Sequence, residues 1–433
     1  MKPVTATDRL GRPGGWLLAT ATLSRLADEA AGVAVVLVVI ARTGDPRLAG
    51  LVLSAFALPT LVTGPVLGAV LDRVRSKRPL FVANQVVLAV ALGGILSLAG
   101  RAPGTVLIGL GLLAGLTAPV LTGGYSAIVP LVVPRGGLRR ANAADAASYN
   151  VAGLGGPALV AAVAGAAGAD VALAGTAALA ALGIVLVLRA PMPGRARPMV
   201  PDGPVESLPV AFRAGLRLLV RQPLLRATTL ATTTSYASLG LLPVTVPLLA
   251  IHLGRPAAYG GWLLTALGGG ALVGTLTSAR LLAVLRPTTL MTIAFAGFGA
   301  LLAGVAMAAS LSTAIALVAL AGVASGPVLA ATLAVRQQCV PADRYAQVVA
   351  TAASLKIGGY ALGAAAGGLL ATHLTAPRLL LVVAAGQLVA VALVAVRRPG
   401  PPPRDPLPMA RPDGKHPEHD GRAGARPVTE RAG

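Results

Sequence analysis

The chain is short of charge, of aromatic rings and of cysteine, and each shortage excludes something. Only 12% of its 433 residues are charged, against the roughly 25% of a soluble domain. Phe, Trp and Tyr together supply 3%, and Ala, Leu, Val and Gly provide the apolar bulk instead. The single Cys339 excludes an internal disulfide and a cysteine zinc site. There is no G-x-x-x-x-G-K-S/T loop to cradle a phosphate, so no ATPase engine is written into the chain. A His/Glu metal cluster and a nucleophile elbow are missing too, and nothing points to a soluble-type enzyme.

What is present is hydrocarbon. Hydrophobic residues make up 55% of the chain and the mean hydropathy is +0.78. A membrane helix needs roughly 20 apolar residues, so about twelve spans with short connections fill residues 16–396. The excess of basic residues, 36 against 15 acidic for a net charge of +21, lies mostly in short loops and the two tails. It reads as a set of topology signals and anionic-lipid contacts rather than as a nucleic-acid surface. Lys2, Arg9 and Arg12 before an apolar run superficially resemble a secretory signal. That run is interrupted by Arg25, Asp28 and Glu29 with no evident cleavage site, so we read a retained first span.

The expected organisation is a cytoplasmic tail (1–15), a six-helix bundle (16–190), a linker (191–222), a second six-helix bundle (223–396) and a disordered basic tail (397–433). The linker is rich in Pro and Arg, and Val210 to Arg221 reads as an amphipathic helix on the inner membrane surface. The last segment has too little apolar content to bury a core. Span one must take Arg25, Asp28 and Glu29 into the membrane, because Ala30 to Ala41 alone is too short to cross.

Span two ends in Gly64-Pro65-Val66-Leu67-Gly68-Ala69-Val70-Leu71-Asp72-Arg73-Val74-Arg75-Ser76-Lys77-Arg78. A charge-free helix meets one carboxylate and then a burst of cations, as at the cytoplasmic end of a span. The order Gly68, Asp72-Arg73, Lys77-Arg78 resembles the loop between spans two and three of the major facilitator superfamily of secondary transporters, with Arg75 where that family prefers Gly. A repeat supports the resemblance: Gly68 recurs as Gly274, 206 residues on (274 − 68), while Val133-Pro134 recurs as Val340-Pro341 and Gly156 as Gly363, each 207 on (340 − 133; 363 − 156). That superfamily is itself a standard example of two repeated six-helix halves related by an axis along the membrane normal. The second copy has Ser278-Ala279-Arg280 and no counterpart of Asp72.

The resemblance implies an all-α membrane protein of twelve helices in two pseudo-symmetric bundles, working by alternating access. It implies a cytoplasmic gate formed by Asp72 and Arg73, with Lys77 and Arg78, against the start of span eleven. Gly64 and Gly68 are spaced to pack on Gly359, Gly363 and Gly367 of that span. Gly153-Leu154-Gly155-Gly156-Pro157 looks like part of the exporters' antiporter signature, with Val160-Ala161 in place of its trailing glycines.

Intramembrane ionisable groups are functional candidates by default. Arg25 lies three residues from Asp28 and four from Glu29, so either can share its face. Desolvation and the neighbouring cation then act in opposite senses on a carboxylate, which can make a proton-binding site. A structural Arg25–Asp28 pair is the alternative. Acidic residues in span one resemble those of proton-coupled exporters. Lys356 has no local acidic partner and reads as snorkelling toward the cytoplasmic interface, with pairing across the bundle as the other choice. In the hydroxyl-rich start of span seven, Tyr236 is the best placed to touch substrate.

The expectation is proton-coupled efflux of a small, largely apolar compound from a multi-pass protein of the cytoplasmic membrane. Both termini are cytoplasmic, and the protein is monomeric, without a cofactor or metal, and driven by the proton gradient. Its partners are substrate, protons and lipid, and no nucleic acid. The alternatives are an importer or facilitator on the same scaffold, and a membrane sensor or assembly protein that transports nothing.

Overall fold

A backbone in hydrocarbon must satisfy its own N–H and C=O groups, and this chain does so with helices. A computed structural model describes residues 11–60, 76–133, 137–190, 208–340 and 342–395, all of them in the unit Met1–Arg397. The first half runs α1 (Gly11–Thr43), α2 (Pro46–Ala57), α3 (Arg78–Leu98), α4 (Gly104–Gly115), a π-helical turn (Val120–Gly124), α5 (Tyr125–Val132), α6 (Leu138–Ala167) and α7 (Ala169–Arg189). After α8 (Leu208–Arg221), the second half runs α9 (Pro223–Leu239), α10 (Leu242–His252), α11 (Tyr259–Val284), α12 (Pro287–Ala306), α13 (Leu311–Ser325), α14 (Pro327–Cys339), α15 (Ala342–Leu370) and α16 (Ala376–Ala395).

Among the described residues eight of these helices or coaxial pairs are long and apolar enough to cross a membrane. They are α3, α6, α7, α9 with α10, α11, α12, α13 with α14, and α16. Helices α1 and α15 are also long enough, at 33 and 29 residues, but carry charge in their interiors. With α2 and the broken path from α4 to α5, the arrangement accords with twelve crossings.

Local chemistry sets the helix starts. Asp45 caps α2 by accepting the Arg47 N–H at 2.8 Å, with Pro46 at the first helical position. Ser310 caps α13 through the Thr313 N–H at 3.2 Å. The span from α4 to α5 is interrupted by a turn at Leu116 and Thr117 and passes through the π turn.

The two halves pair their helices in the same way. In the first, α1 packs on α6 and α7, α3 on α7, and α2 on α4; in the second, α9 packs on α15 and α16, α12 on α16, and α11 on α13. Helix α1 is the centre of its half, buried nearly all round from Val33 to Val39. The repeat extends to single contacts. A Cβ added to Gly156 on α6 would lie 2.8 Å from the Ala30 nitrogen on α1. One added to Gly363 on α15 would run into the Ala237 carbonyl on α9. Both sides of this contact are displaced by 207 residues (363 − 156 and 237 − 30).

The halves meet through α2 with α15 and α6 with α11. Gly50 on α2 faces Ala364 and Gly368, and Gly261 on α11 faces the Pro157 carbonyl and Ala161. Small residues at these crossings bring backbone against backbone, where packing rather than hydrophobicity holds membrane helices together.

Filling either repeat-related contact should therefore loosen one half. Gly156→Val and Gly363→Val are each expected to cost about 1–3 kcal/mol, read as a lower unfolding temperature in lipid or detergent. Gly153→Ala, whose added methyl meets nothing within 4 Å, should leave that temperature unchanged or raise it.

Candidate functional site

Arg25 is 2% exposed in the middle of α1, where an unpaired guanidinium would be prohibitive. Its partner is not Asp28, the neighbour on its own helix. The Nη1 group lies 2.8 Å from Asp145 Oδ1 on α6 and also donates to Ser148 Oγ. Nη2 reaches Ser126 Oγ at 3.0 Å, and Nε donates to the Leu121 carbonyl at 3.0 Å. Leu121 lies in the π turn, a local irregularity of the kind that recurs at functional sites. Ser126 returns a hydrogen bond to Asp145 Oδ2 at 2.6 Å, and the Tyr149 ring stacks 3.8 Å from the guanidinium carbon. The pair thus ties spans one, four and five into one unit. The i, i+3 pairing with Asp28 fails because Asp145 offers a carboxylate with its own hydroxyl support.

A second polar chain lies beside it. Gln85 on α3 donates to Ser24 at 2.5 Å, and Ser24 meets the Tyr125 hydroxyl at 3.1 Å. Tyr125 is fully buried and its ring packs on Phe81, centroids 4.6 Å apart.

With Arg25 engaged elsewhere, Asp28 and Glu29 stand differently from each other. Asp28 Oδ1 is buried with no hydrogen-bond partner. Glu29, one residue on, is exposed in the middle of a span and has no ion pair among the described residues.

The second half answers with Lys356. It does not run to the interface as a snorkelling residue would; its ammonium sits 4.1 Å above the Tyr236 ring, linking α15 to α9. Tyr236 is half-buried, so the residue expected to touch substrate carries a cation on its face. The neighbouring hydroxyls of Thr228 and Thr232 are taken up by the carbonyls of Leu224 and Thr228, each at 2.9 Å.

The glycines also have definite places. Among the described residues Gly359, Gly363 and Gly367 face Thr233, Ala237 and Leu241 on span seven; their expected partners Gly64 and Gly68 lie outside those residues. The span-two partner of α15 is Gly50, against Ala364 and Gly368. Gly156 presses on α1, Pro157 on Gly261, and Gly153 stands in open space. Of the cytoplasmic gate motif, Gly64, Gly68, Asp72 and Arg73 lie outside the described residues. Lys77 is half-buried just ahead of α3, and Arg78 donates to the Ala190 carbonyl at 2.9 Å, joining the start of span three to the end of span six.

Asp145 is the residue that sequence reasoning passed over. Its signal was available: it is a carboxylate inside a span drawn from Asn142, in a chain with only 15 acidic residues.

Comparison with known proteins adds the family. Residues 16–406 match the family model MFS_3, described as transmembrane secretion effectors. The uncharacterized MFS-type transporter y4rN of Sinorhizobium fredii is 28% identical over 414 residues, covering 91% of this chain and 96% of that protein. Among solved structures, the nucleoside transporter NupG superposes with a TM-score of 0.74 at 13% identity, over 89% of this chain and 98% of its own. A bacterial homologue of the lysosomal transporter Spinster, inward-facing and unoccupied, gives 0.61 at 17% identity, over 89% of this chain and 95% of its own. At these identities the structural likeness is one of fold.

Removing one member of a buried pair strands the other. Asp145→Asn should cost about 3–5 kcal/mol of stability, measured as earlier unfolding or a shorter half-life in detergent. Replacing both partners by apolar residues, Arg25→Met with Asp145→Leu, should recover most of that loss.

Proposed function

Since the chain belongs to the MFS_3 family of transmembrane secretion effectors within the major facilitator superfamily, and is therefore a membrane transporter and not an enzyme, we propose that it exports a small, largely apolar compound in exchange for protons. The observation that carries the proton part is Asp28. Its Oδ1 is buried without a partner, while the one cation on its helix face is held by Asp145. An unsatisfied oxygen in a low-dielectric interior is costly, and a proton is the smallest ligand that satisfies it. Glu29, exposed beside it, is the group through which that proton reaches or leaves the cavity.

The cycle follows from charge. Substrate entering the cavity displaces the proton from the Asp28 and Glu29 pair, and a new proton enters from outside as substrate leaves. Movement between the two states uses the small-residue crossings of α2 with α15 and α6 with α11. In the orientation we propose, both termini and α8 are cytoplasmic, the protein is a monomer in the cytoplasmic membrane, and the ends of α2 and α11 near Gly50 and Gly261 are external. On this reading contacts there close the external side. On this reading Asp72 and Arg73 form the latch that closes the cytoplasmic side in the other state. The apolar composition of the spans supports a largely apolar substrate over a sugar, which needs many hydrogen-bonding side chains.

In vesicles carrying an imposed pH gradient, wild-type protein should move substrate against the proton flow. Asp28→Asn with Glu29→Gln should abolish the gradient-driven component while leaving the protein folded; full coupled transport by that double variant would remove the proton site from Asp28 and Glu29. Asp72→Asn should insert normally yet slow cycling at least several-fold, checked by the transport rate per correctly inserted molecule.

A further inference from the structure

The 207-residue repeat relates two intramembrane charges that stand outside the ion pairs in a pattern that a purely apolar substrate does not use. It maps Glu29 on α1 onto Tyr236 on α9 (236 − 29), and Tyr149 on α6 onto Lys356 on α15 (356 − 149). Each half thus offers one charge and one tyrosine at corresponding positions, with the roles exchanged. The first half supplies an anion in Glu29, and the second a cation in Lys356, which lies on the face of Tyr236. Tyr360, one turn beyond Lys356, shares its face of α15.

The two charges do not neutralise each other. Among the described residues the ion pairs are Arg25 with Asp145 and Arg42 with Asp170. Glu29 has no cation among them, and Lys356 rests on the face of Tyr236 with no carboxylate. A cation–π contact of this kind is weaker than a charge-assisted hydrogen bond to an anion in the same surroundings. Lys356 therefore has a resting place that an anionic group can draw it from.

We propose that the compound carried is dipolar, its basic group held by Glu29 on the first half, its acidic group by Lys356 on the second, and its apolar body against Tyr236 and Tyr360. This rests on the transporter reading of the same cavity. A simple cation would meet the ammonium of Lys356, and a simple anion would meet Glu29 and Asp28. A dipolar molecule satisfies both sides and bridges the two bundles that must move together. It also fits proton exchange, because its basic group and the proton compete for the same carboxylate.

The test uses matched dyes and needs no pH gradient, so its failure would leave proton-driven export standing, and failure of coupling would leave this site standing. Tetramethylrhodamine carries a cationic ring system and a carboxylate; its methyl ester keeps the cation alone, and fluorescein lacks the cationic amine. Binding to the purified protein in lipid nanodiscs is followed by fluorescence anisotropy. Wild type should bind tetramethylrhodamine at least about tenfold more tightly than either analogue, the effect of one charge-assisted contact. Lys356→Gln should erase the preference for acid over ester, and Lys356→Arg should retain it. Glu29→Gln should erase the preference over fluorescein. The proposal is overturned if wild type shows no saturable binding of tetramethylrhodamine, if the ester binds as well as the acid, or if Lys356→Gln weakens both dyes alike. The wild-type comparison stands even should a variant fail to fold.

Discussion

The polar cluster that joins spans one, four and five follows from the need to neutralise Arg25. A guanidinium 2% exposed inside a membrane helix must be paired and its remaining donors satisfied. Asp145, Ser126, Ser148 and the Leu121 carbonyl do this from two other spans. The consequence for function is indirect but large. Because Asp145 takes the cation, Asp28 is left without one, and Glu29 has no ion pair among the described residues. A pair on α1 alone would have quenched the carboxylate that the proposed exchange requires.

The second constraint is close approach. Gly156 against α1 and Gly363 against α9 let helix backbones touch within each half, and Gly50 and Gly261 do the same between halves. The contacts within a half recur at the spacing of the repeat, as expected if each bundle moves as a body. Those between halves are fewer and involve α2, α6, α11 and α15, the elements that rearrangement would slide or part. Glu29 lies on α1 and Lys356 on α15, so a ligand held by both would couple occupancy to the relation between the bundles.

The fold was legible in the chain because its signals are local. Apolar runs of span length, prolines and cations at their ends, and a repeat of 207 residues (363 − 156) all survive in a single sequence. The site was legible only in part. Arg25, Asp28 and Glu29 announced themselves as charges in hydrocarbon, but which carboxylate Arg25 chooses depends on Asp145, 120 residues away. Sequence spacing favoured Asp28 because i, i+3 neighbours share a face; the fold favoured Asp145 because two serines and a π turn complete its surroundings. Lys356 gave the same lesson. No acidic residue near it in sequence suggested a route to the interface, whereas Tyr236 on another helix supplies a seat within the bundle. The glycines of span eleven also pack on span seven, at Thr233, Ala237 and Leu241, a contact that only the arrangement of helices decides.

The central claim is that Asp28, released from Arg25 by Asp145, takes up the proton that is exchanged for substrate. Infrared difference spectra between the substrate-free and substrate-bound protein test it most directly, through the carbonyl stretch of a protonated carboxyl group. The account predicts such a band in the substrate-free state, lost when substrate binds and absent from Asp28→Asn. A band that persists in Asp28→Asn, or one unaffected by substrate in the wild type, would contradict it.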